Sequence, residues 1–256
     1  MWNKMEEKTI LKVEEISKNF GGVAAIVRVS FSLKQGELLG IIGPNGSGKT
    51  TLVNLLTGFV TPDSGKVIYQ GRNIRGKMPY KIAALGIART FQMVKPFYQL
   101  SAFKNLIIPL YSTRVRKLRG GKYGDRDDVA IDLLEDVGFE RDSAVPYKVA
   151  SSLPHGYLKR LELARCLALR PDLLILDELF SGMSMSEVAS TLPIIEKLNS
   201  EGLSIIMVEH RLKELFRIAH RVIALNFGSK IADGPPRDMM DNEAVKAAYL
   251  GIEEEG

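Results

Sequence analysis

The feature that most constrains this chain is a glycine-rich segment directly behind a short apolar run. Residues 43–50 read GPNGSGKT, and the apolar run Leu38–Ile42 precedes them. A glycine loop that ends in Lys-Thr, between a buried strand and a helix, points backbone N–H groups at phosphates, and the helix N-terminus adds a favourable dipole. Residues 51–56 are suited to form that helix. The segment therefore predicts a phosphate-binding loop on an α/β sheet.

Each residue type in this loop has a chemical role in holding a nucleoside triphosphate. Lys49 would neutralise charge on the β- and γ-phosphates, and the Thr50 hydroxyl would ligate Mg²⁺. The candidate nucleotide contacts of the segment are Gly43, Pro44, Asn45, Gly46, Ser47, Gly48, Lys49, Thr50 and Thr51.

A second candidate motif is an acidic pair at the end of another apolar run. Residues 173–176 read LLIL, and Asp177 and Glu178 follow. Asp177 would hold Mg²⁺, directly or through water, and Glu178 would polarise the attacking water. Acidic pairs after apolar strands are common, so this motif gains its weight from the phosphate-binding loop earlier in the chain.

The hydrophobic pattern predicts the arrangement of these motifs. Alternation at Val27, Val29, Phe31 and Leu33 predicts a strand buried on one face. Residues 66–69, 173–176 and 204–208 predict further strands, and residues 97–110 and 129–137 predict helices. We expect a mostly parallel α/β core with a helical lobe inserted between about residues 95 and 160. We expect one domain over 1–256, with its core at about 8–94 and 161–256 and the helical subdomain at about 95–160.

Composition excludes some classes of protein and leaves others open. Hydrophobic residues make up 45% of the 256 residues, yet no apolar run approaches the roughly 18 residues of a membrane-spanning helix. The polar N-terminus resembles no signal peptide, so we expect a cytoplasmic protein. The net charge of +5 permits attraction to nucleic acid or anionic lipid without establishing either. The basic residues within 112–128 are interpreted as a solvated surface loop, with a patch for lipid headgroups or nucleic acid as the alternative.

With these motifs in place, the chain resembles the ATP-binding-cassette ATPases over nearly its whole length. Gln92, in RTFQ, resembles the family's glutamine loop, which contacts Mg²⁺ and the attacking water. His210, in VEH, resembles the switch histidine that senses the γ-phosphate, and Phe20 stands where an aromatic ring stacks on adenine. The resemblance implies an α/β P-loop NTPase fold with a RecA-like, mostly parallel sheet core, an N-terminal antiparallel β part and an inserted helical subdomain. It also implies ATP and Mg²⁺. The catalytic candidates are Lys49, Gln92, Glu178 and His210; the metal candidates are Thr50, Gln92 and Asp177.

The family signature, LSGGQ, corresponds here to LPHGY at residues 153–157. In a head-to-tail dimer this helix start caps the γ-phosphate held by the other subunit, so Pro154 and Gly156 are candidate nucleotide contacts. Two further departures are Leu179, where the family usually has proline, and Ser184, where an Asp or Asn normally reaches across the dimer. If the dimer is heteromeric, we expect the partner's ATP site to be the weaker one.

Several segments resemble one branch of the family, the first of the two ATPases of branched-chain amino acid importers. These are GIARTFQ at 86–92, RLELAR at 160–165 and AYLG at 248–251. The branch implies two transmembrane permeases, a sister or identical ATPase, an extracytoplasmic solute-binding protein and a peripheral position on the cytoplasmic face of the plasma membrane. It implies permease docking near Gln92, at residues 94–100, and no nucleic-acid partner. The alternatives are a soluble cassette protein acting on nucleic acid or ribosomes and a hydrolysis-impaired nucleotide-binding subunit.

Overall fold

The computed structural model describes residues 8–118 and 126–250. Its strands are β1 (Thr9–Phe20), β2 (Val23–Lys34), β3 (Leu38–Ile42), β4 (Ser64–Tyr69), β5 (Arg72–Asn73), β6 (Ile87–Arg89), β7 (Leu173–Asp177), β8 (Ser204–Val208), β9 (Arg221–Asn226) and β10 (Ser229–Gly234). Its α-helices are α1 (Lys49–Leu56), α2 (Pro79–Leu85), α3 (Ala102–Leu110), α4 (Thr113–Leu118), α5 (Arg126–Asp136), α6 (His155–Leu167), α7 (Met185–Ser200), α8 (Leu212–Ile218), α9 (Pro236–Asp241) and α10 (Glu243–Leu250).

The described strands form two sheets, and these confirm the expected fold class. One sheet is antiparallel with the order β2-β1-β4-β5. The other has the order β10-β9-β3-β8-β7-β6 and is parallel except where β10 pairs with β9. The phosphate-binding loop therefore follows a central parallel strand, and the acidic pair follows a strand two places away.

Alternating side chains of the parallel strands enter different parts of the core. Leu38 and Ile42 of β3 join one buried cluster with the helices α3, α5, α6 and α7, whereas Leu39 and Ile41 join a second cluster with α1 and the antiparallel sheet. A strand with both faces buried can be apolar at every position, which explains the uninterrupted run that precedes the loop.

The strand predicted from alternation exists as β2, but one of its assigned core residues is misplaced. Val29, Phe31 and Leu33 are buried as expected, whereas Val27 is exposed and Ile26 is buried instead. Arg28 has a φ of 46°, and the pairing of β1 with β2 shifts register between Val29 and Ile26. A bulge of this kind reverses which side chains face inward, so simple alternation fails beyond it.

The segment after α3 corrects the interpretation of residues 112–128 as a solvated loop. Residues 113–118 form α4, Val115 is buried, and residues 126–128 begin α5; residues 119–125 lie outside the described part of the chain. Arg114 is not a solvated cation, because its guanidinium lies 2.9 Å from the Asp172 carboxylate and donates to the Leu85 carbonyl at 3.0 Å. Arg114 thus links α4 to the residue before β7 and to the end of α2.

Helices α3, α5 and α6 pack together in the region expected to form the helical subdomain. Helix α6 runs across the expected boundary at residue 160, so the division at 95–160 stays a prediction.

Candidate functional site

The phosphate-binding loop connects β3 to α1 and is shaped by glycine conformations. Gly48 has a φ of 102°, and a Cβ atom there would lie 2.7 Å from the Ala25 carbonyl oxygen. Gly43 has a φ of 152° and fits tightly against the Leu225 carbonyl. Side chains at either position would move the loop, so glycine is required for its path.

Lys49 folds back over this loop. Its ammonium group donates to the carbonyl oxygens of Gly43 and Pro44, each at 2.8 Å. Burial lowers the pKa of Lys49, and the nearby charges of Glu178 and Asp177 oppose that shift. The loop thus holds a largely buried cation next to two carboxylates.

A cavity of about 320 Å³ opens in front of the loop. Its lining residues are Val23, Ala24, Ala25, Asn45, Gly46, Ser47, Gly48, Lys49, Thr50, Thr51, Glu178, His210 and Phe227. The sequence-predicted loop residues from Asn45 to Thr51 are therefore brought together with two of the predicted catalytic side chains, while Gly43 and Pro44 lie behind Lys49. The Ser47 hydroxyl is buried and has no hydrogen-bond partner among the described residues.

Two other predicted catalytic side chains contact Glu178. The Gln92 side-chain amide donates to Glu178 Oε2 at 2.7 Å, and His210 Nε2 lies 3.0 Å from Glu178 Oε1. Both carboxylate oxygens are therefore fixed at the mouth of the cavity. Glu178 follows β7 with a φ of 51°, a conformation that few non-glycine residues adopt and that is common at functional sites.

Asp177 is buried at the end of β7, next to the loop. Its Oδ2 accepts from Arg89 at 2.8 Å, and its Oδ1 is buried without a hydrogen-bond partner in the described structure. Burial raises the pKa of Asp177, and the Arg89 charge opposes this. Thr50, Gln92 and Asp177 line one adjoining cavity of about 350 Å³. A hydroxyl, an amide and a carboxylate with one unpaired oxygen are ligands that suit Mg²⁺, so these residues fit the metal that the sequence predicts.

Phe20, the predicted adenine contact, does not line the cavity. It lies at the end of β1 with 49% of its surface exposed, and the Lys18 ammonium lies 5.4 Å from its ring centroid. The aromatic residue that does line the cavity is Phe227, which is 84% exposed in the turn between β9 and β10. Sequence reasoning missed Phe227 because only the pairing of β9 with β3 brings this turn next to the phosphate-binding loop, and the two strands are far apart in the chain.

Pro154 and Gly156 are separate from this cavity, at the start of α6. Pro154 precedes the first helical residue, with a ψ of 155°. A Cβ on Gly156 would overlap the carboxylate of Glu187, and the Gly156 N–H lowers the pKa of Glu187, after the larger effects of Ser184. Ser184 is itself engaged within its own helix: it caps α7 by accepting from Glu187 N–H, while the Glu187 side chain accepts from Ser184 N–H.

Two buried charged residues near Glu178 were not found from the sequence. The Lys159 ammonium, from α6, donates to the Gln92 carbonyl at 2.9 Å and lies 3.4 Å from the Glu178 carbonyl. Burial raises the pKa of Glu209 to about 7, although its Oε1 accepts from Phe180 N–H at 2.9 Å. Glu209 stands next to His210 in VEH and Lys159 follows the LPHGY segment, but neither pattern indicates a buried charge, and only the fold brings these two side chains to the site.

The fold and the site define a P-loop nucleotide-hydrolysing protein. A family model described as ABC transporter matches residues 26–181, and one described as branched-chain amino acid ATP-binding cassette transporter matches residues 229–255. The chain belongs to the ABC transporter ATPases and hydrolyses ATP.

Individual relatives agree with this assignment. The high-affinity branched-chain amino acid transport ATP-binding protein BraF of Pseudomonas aeruginosa is 34% identical over 95% of this chain and 98% of its own length. The lipopolysaccharide export system ATP-binding protein LptB of Haemophilus influenzae is 30% identical over 95% of this chain and 98% of its own. The crystal structure of an ATP-binding cassette of an ABC transporter in its ADP conformation superimposes with a TM-score of 0.83 at 29% identity, covering 95% of this chain and 99% of that one.

Within residues 8–118 and 126–250, no helix is both long and apolar enough to cross a membrane.

Proposed function

We propose that this chain is the ATP-hydrolysing subunit of an importer for branched-chain amino acids or a related small polar solute. The observation that carries the proposal is the contact of Gln92 and His210 with the two oxygens of Glu178, in front of Lys49. The relatives named for branched-chain amino acid transport, and the family model that matches the C-terminal segment, support the choice of solute.

The side chains divide the chemistry among them. Backbone N–H groups of residues 45–51 and the Lys49 ammonium bind the phosphates of ATP. Glu178 accepts a proton from the attacking water, and Gln92 and His210 hold its carboxylate in place. Thr50, Gln92 and Asp177 would hold Mg²⁺, which neutralises charge on the phosphates when bound. Phe227 and Val23 line the cavity, and Phe20, which pairs with Val23 at the end of β1, is proposed to stack on the adenine next to them.

The remaining candidates act between subunits. Pro154 and Gly156, at the N-terminus of α6, would face the γ-phosphate of ATP bound to a sister or identical ATPase in a head-to-tail dimer. We propose one domain over 1–256, with the helical subdomain at about 95–160 moving relative to the core as the dimer closes.

A surface next to Gln92 supports docking to two transmembrane permeases at the cytoplasmic face of the plasma membrane. Phe91, Met93, Phe97 and Tyr98 are between 40% and 73% exposed. Exposed aromatic and Met side chains in such density favour a protein partner over water. Solute would reach the permeases from an extracytoplasmic binding protein, and no nucleic-acid partner is expected.

The test is a pull-down from native membranes with Glu178→Gln in ATP, followed by mass spectrometry, with the parent protein in ADP as the control. The substitution keeps the shape of the side chain and removes the base, so ATP should stay bound and the complex closed. We expect two multi-spanning proteins and a second cassette, and crosslinks from residues 91–98 to the permeases. Recovery of ribosomal or DNA-associated proteins alone would reject the proposal. Recovery of lipopolysaccharide export components would reject the importer and indicate an exporter instead.

A further inference from the structure

Arg89 is a buried cation that contacts two parts of the site. It is the last residue of β6, and only 7% of its side chain is exposed. Its Nη1 donates to Asn54 Oδ1 of α1 at 2.7 Å, and its Nη2 donates to Asp177 Oδ2 at 2.8 Å. The planar guanidinium thus joins the helix behind the phosphate-binding loop to the end of β7.

This contact gives the two oxygens of Asp177 different surroundings. Oδ2 is occupied by Arg89, whereas Oδ1 is buried without a hydrogen-bond partner in the described ranges. Asp177 lines the cavity that also contains Thr50 and Gln92. Fixing one oxygen of a carboxylate sets the direction of the other, and outer groups that orient a metal ligand tune the affinity of the site.

The same guanidinium also reaches the surface. Its central carbon lies 4.6 Å from the ring centroid of Phe91 and 5.4 Å from that of Phe59, and the two rings meet edge to face. Phe91 is 40% exposed and Phe59 is 52% exposed. Arg89 therefore donates to the candidate metal ligand and also lies over an exposed aromatic pair.

We propose that Arg89 is a positioning residue that orients Asp177 for the divalent cation and connects that carboxylate to the aromatic pair of Phe59 and Phe91. A partner that presses on the two rings would shift the guanidinium and so change how Asp177 is presented to the metal. This inference rests on the proposed role of Asp177 as a metal ligand.

A second arginine in the chain offers a matched control, because it forms a similar pair with no metal candidate nearby. Arg114 lies 2.9 Å from Asp172, has 12% of its side chain exposed, and donates to the Leu85 and Arg170 carbonyls. Asp172 precedes β7 and Asp177 ends it, so the two pairs hold opposite ends of one strand. Loss of either pair should reduce stability, but only loss of Arg89 should affect the metal.

The experiment measures the affinity for the non-hydrolysable analogue AMP-PNP, by calorimetry, in EDTA and in Mg²⁺. For the parent protein we expect tighter binding in Mg²⁺. For Arg89→Gln we expect affinity in EDTA within about twofold of the parent and a loss of about 10- to 100-fold in the metal-dependent part. Arg114→Gln should leave both affinities unchanged. If Arg89→Gln does not fold, Arg89→Lys serves, since one ammonium cannot hold Asn54 and Asp177 together, and an intermediate loss is expected.

The outcomes separate this inference from the proposed function. A parent protein whose AMP-PNP affinity ignores Mg²⁺ would contradict the metal role of Asp177 itself. A Mg²⁺-dependent parent with an equally Mg²⁺-dependent Arg89→Gln or Arg89→Lys variant would overturn the positioning role. So would a variant that loses the same factor in EDTA as in Mg²⁺, because that pattern is a general structural defect.

The link to the aromatic pair has its own variants. Phe59→Leu keeps an apolar side chain and removes the ring beneath the guanidinium, so we expect a loss of about two- to fivefold in the metal-dependent affinity. Tyr80→Leu, an exposed ring in the same groove that stacks on Lys81 rather than Arg89, is the control and should show none. Equal behaviour of the two variants would remove the aromatic pair from the inference.

Discussion

The two regions that would handle ATP differ in how completely this chain builds them. Around the phosphate-binding loop, Lys49 donates to the loop's own carbonyl oxygens, and Gln92 and His210 contact the Glu178 carboxylate within the same chain. At the start of α6, by contrast, Gly156 lies against the carboxylate of Glu187 rather than facing the loop. The first region is organised by one chain, whereas the second has a carboxylate near the backbone N–H that a partner's γ-phosphate would need. If α6 caps a partner's γ-phosphate as proposed, subunit closure would have to rearrange the second region and not the first.

The largest expected effect comes from the first region. Glu178→Gln should reduce the ATP hydrolysis rate by about 10²- to 10⁴-fold, because the amide cannot accept the proton of the attacking water. Binding of ATP should remain within a few fold, since Lys49 and the loop are untouched. The rate is measured by phosphate release and the affinity by calorimetry, with Glu214→Gln on α8 as a control. An unchanged hydrolysis rate would show that another base acts. It would contradict the view that the region around the phosphate-binding loop contains its complete catalytic machinery.

The next effect concerns the buried acid beside that region. Burial raises the pKa of Glu209 to about 7, from an ordinary value of 4.5 for a glutamate in water. The proton is therefore bound more tightly in the folded state, and this stabilising contribution is present below pH 4.5 and lost as the pH rises through 7. Glu209→Gln keeps an oxygen for the Phe180 N–H and does not titrate. From pH 4.5 to pH 8 the parent should therefore lose up to about 3 kcal/mol more of its free energy of unfolding than the variant does.

Denaturant unfolding of Glu209→Gln, the parent and Glu214→Gln at the two pH values checks this prediction. A pH dependence that is the same in all three proteins would mean that the carboxylate of Glu209 is solvated or paired in the folded state.

The second region is tested by Gly156→Ala. The new methyl group would overlap the Glu187 carboxylate, which must then leave its place at the start of α6. We expect turnover in the assembled dimer to fall by about tenfold, the equivalent of roughly 1.4 kcal/mol. Nucleotide binding by the isolated chain should be unchanged. Adding Glu187→Ala should relieve the overlap and restore much of the turnover, at the cost of the α7 cap. If nucleotide binding by the isolated chain falls instead, the two regions are not separate.

The sequence predicted the first region well because its motifs are local. Glycines, Lys49 and the strand before them are adjacent in the chain, and the backbone itself forms the loop. Gln92 and His210 became candidates through family resemblance alone, and their contacts with Glu178 were not predicted, since these residues are far apart in the chain. Val27 was assigned to the core wrongly because a bulge at Arg28 is invisible to alternation. Phe227, Lys159 and Arg89 were missed because their roles depend on which strands and helices become neighbours.

The smallest effect is expected at the C-terminal end of the described chain, where Tyr249 of α10 touches the phosphate-binding loop. The Gly43 N–H donates to the Tyr249 hydroxyl oxygen at 2.8 Å, and burial raises the pKa of that hydroxyl. Tyr249→Phe keeps the ring and leaves the Gly43 N–H without this acceptor, a loss of about 1 kcal/mol, or about fivefold in ATP affinity if the loop shifts. Tyr98→Phe, which removes a hydroxyl that donates to the Val94 carbonyl at 3.0 Å, is the control in the same calorimetric titration. Equal ATP affinities in both variants would show that the phosphate-binding loop keeps its shape without the hydrogen bond to α10. The first region would then depend on fewer contacts than the structure contains.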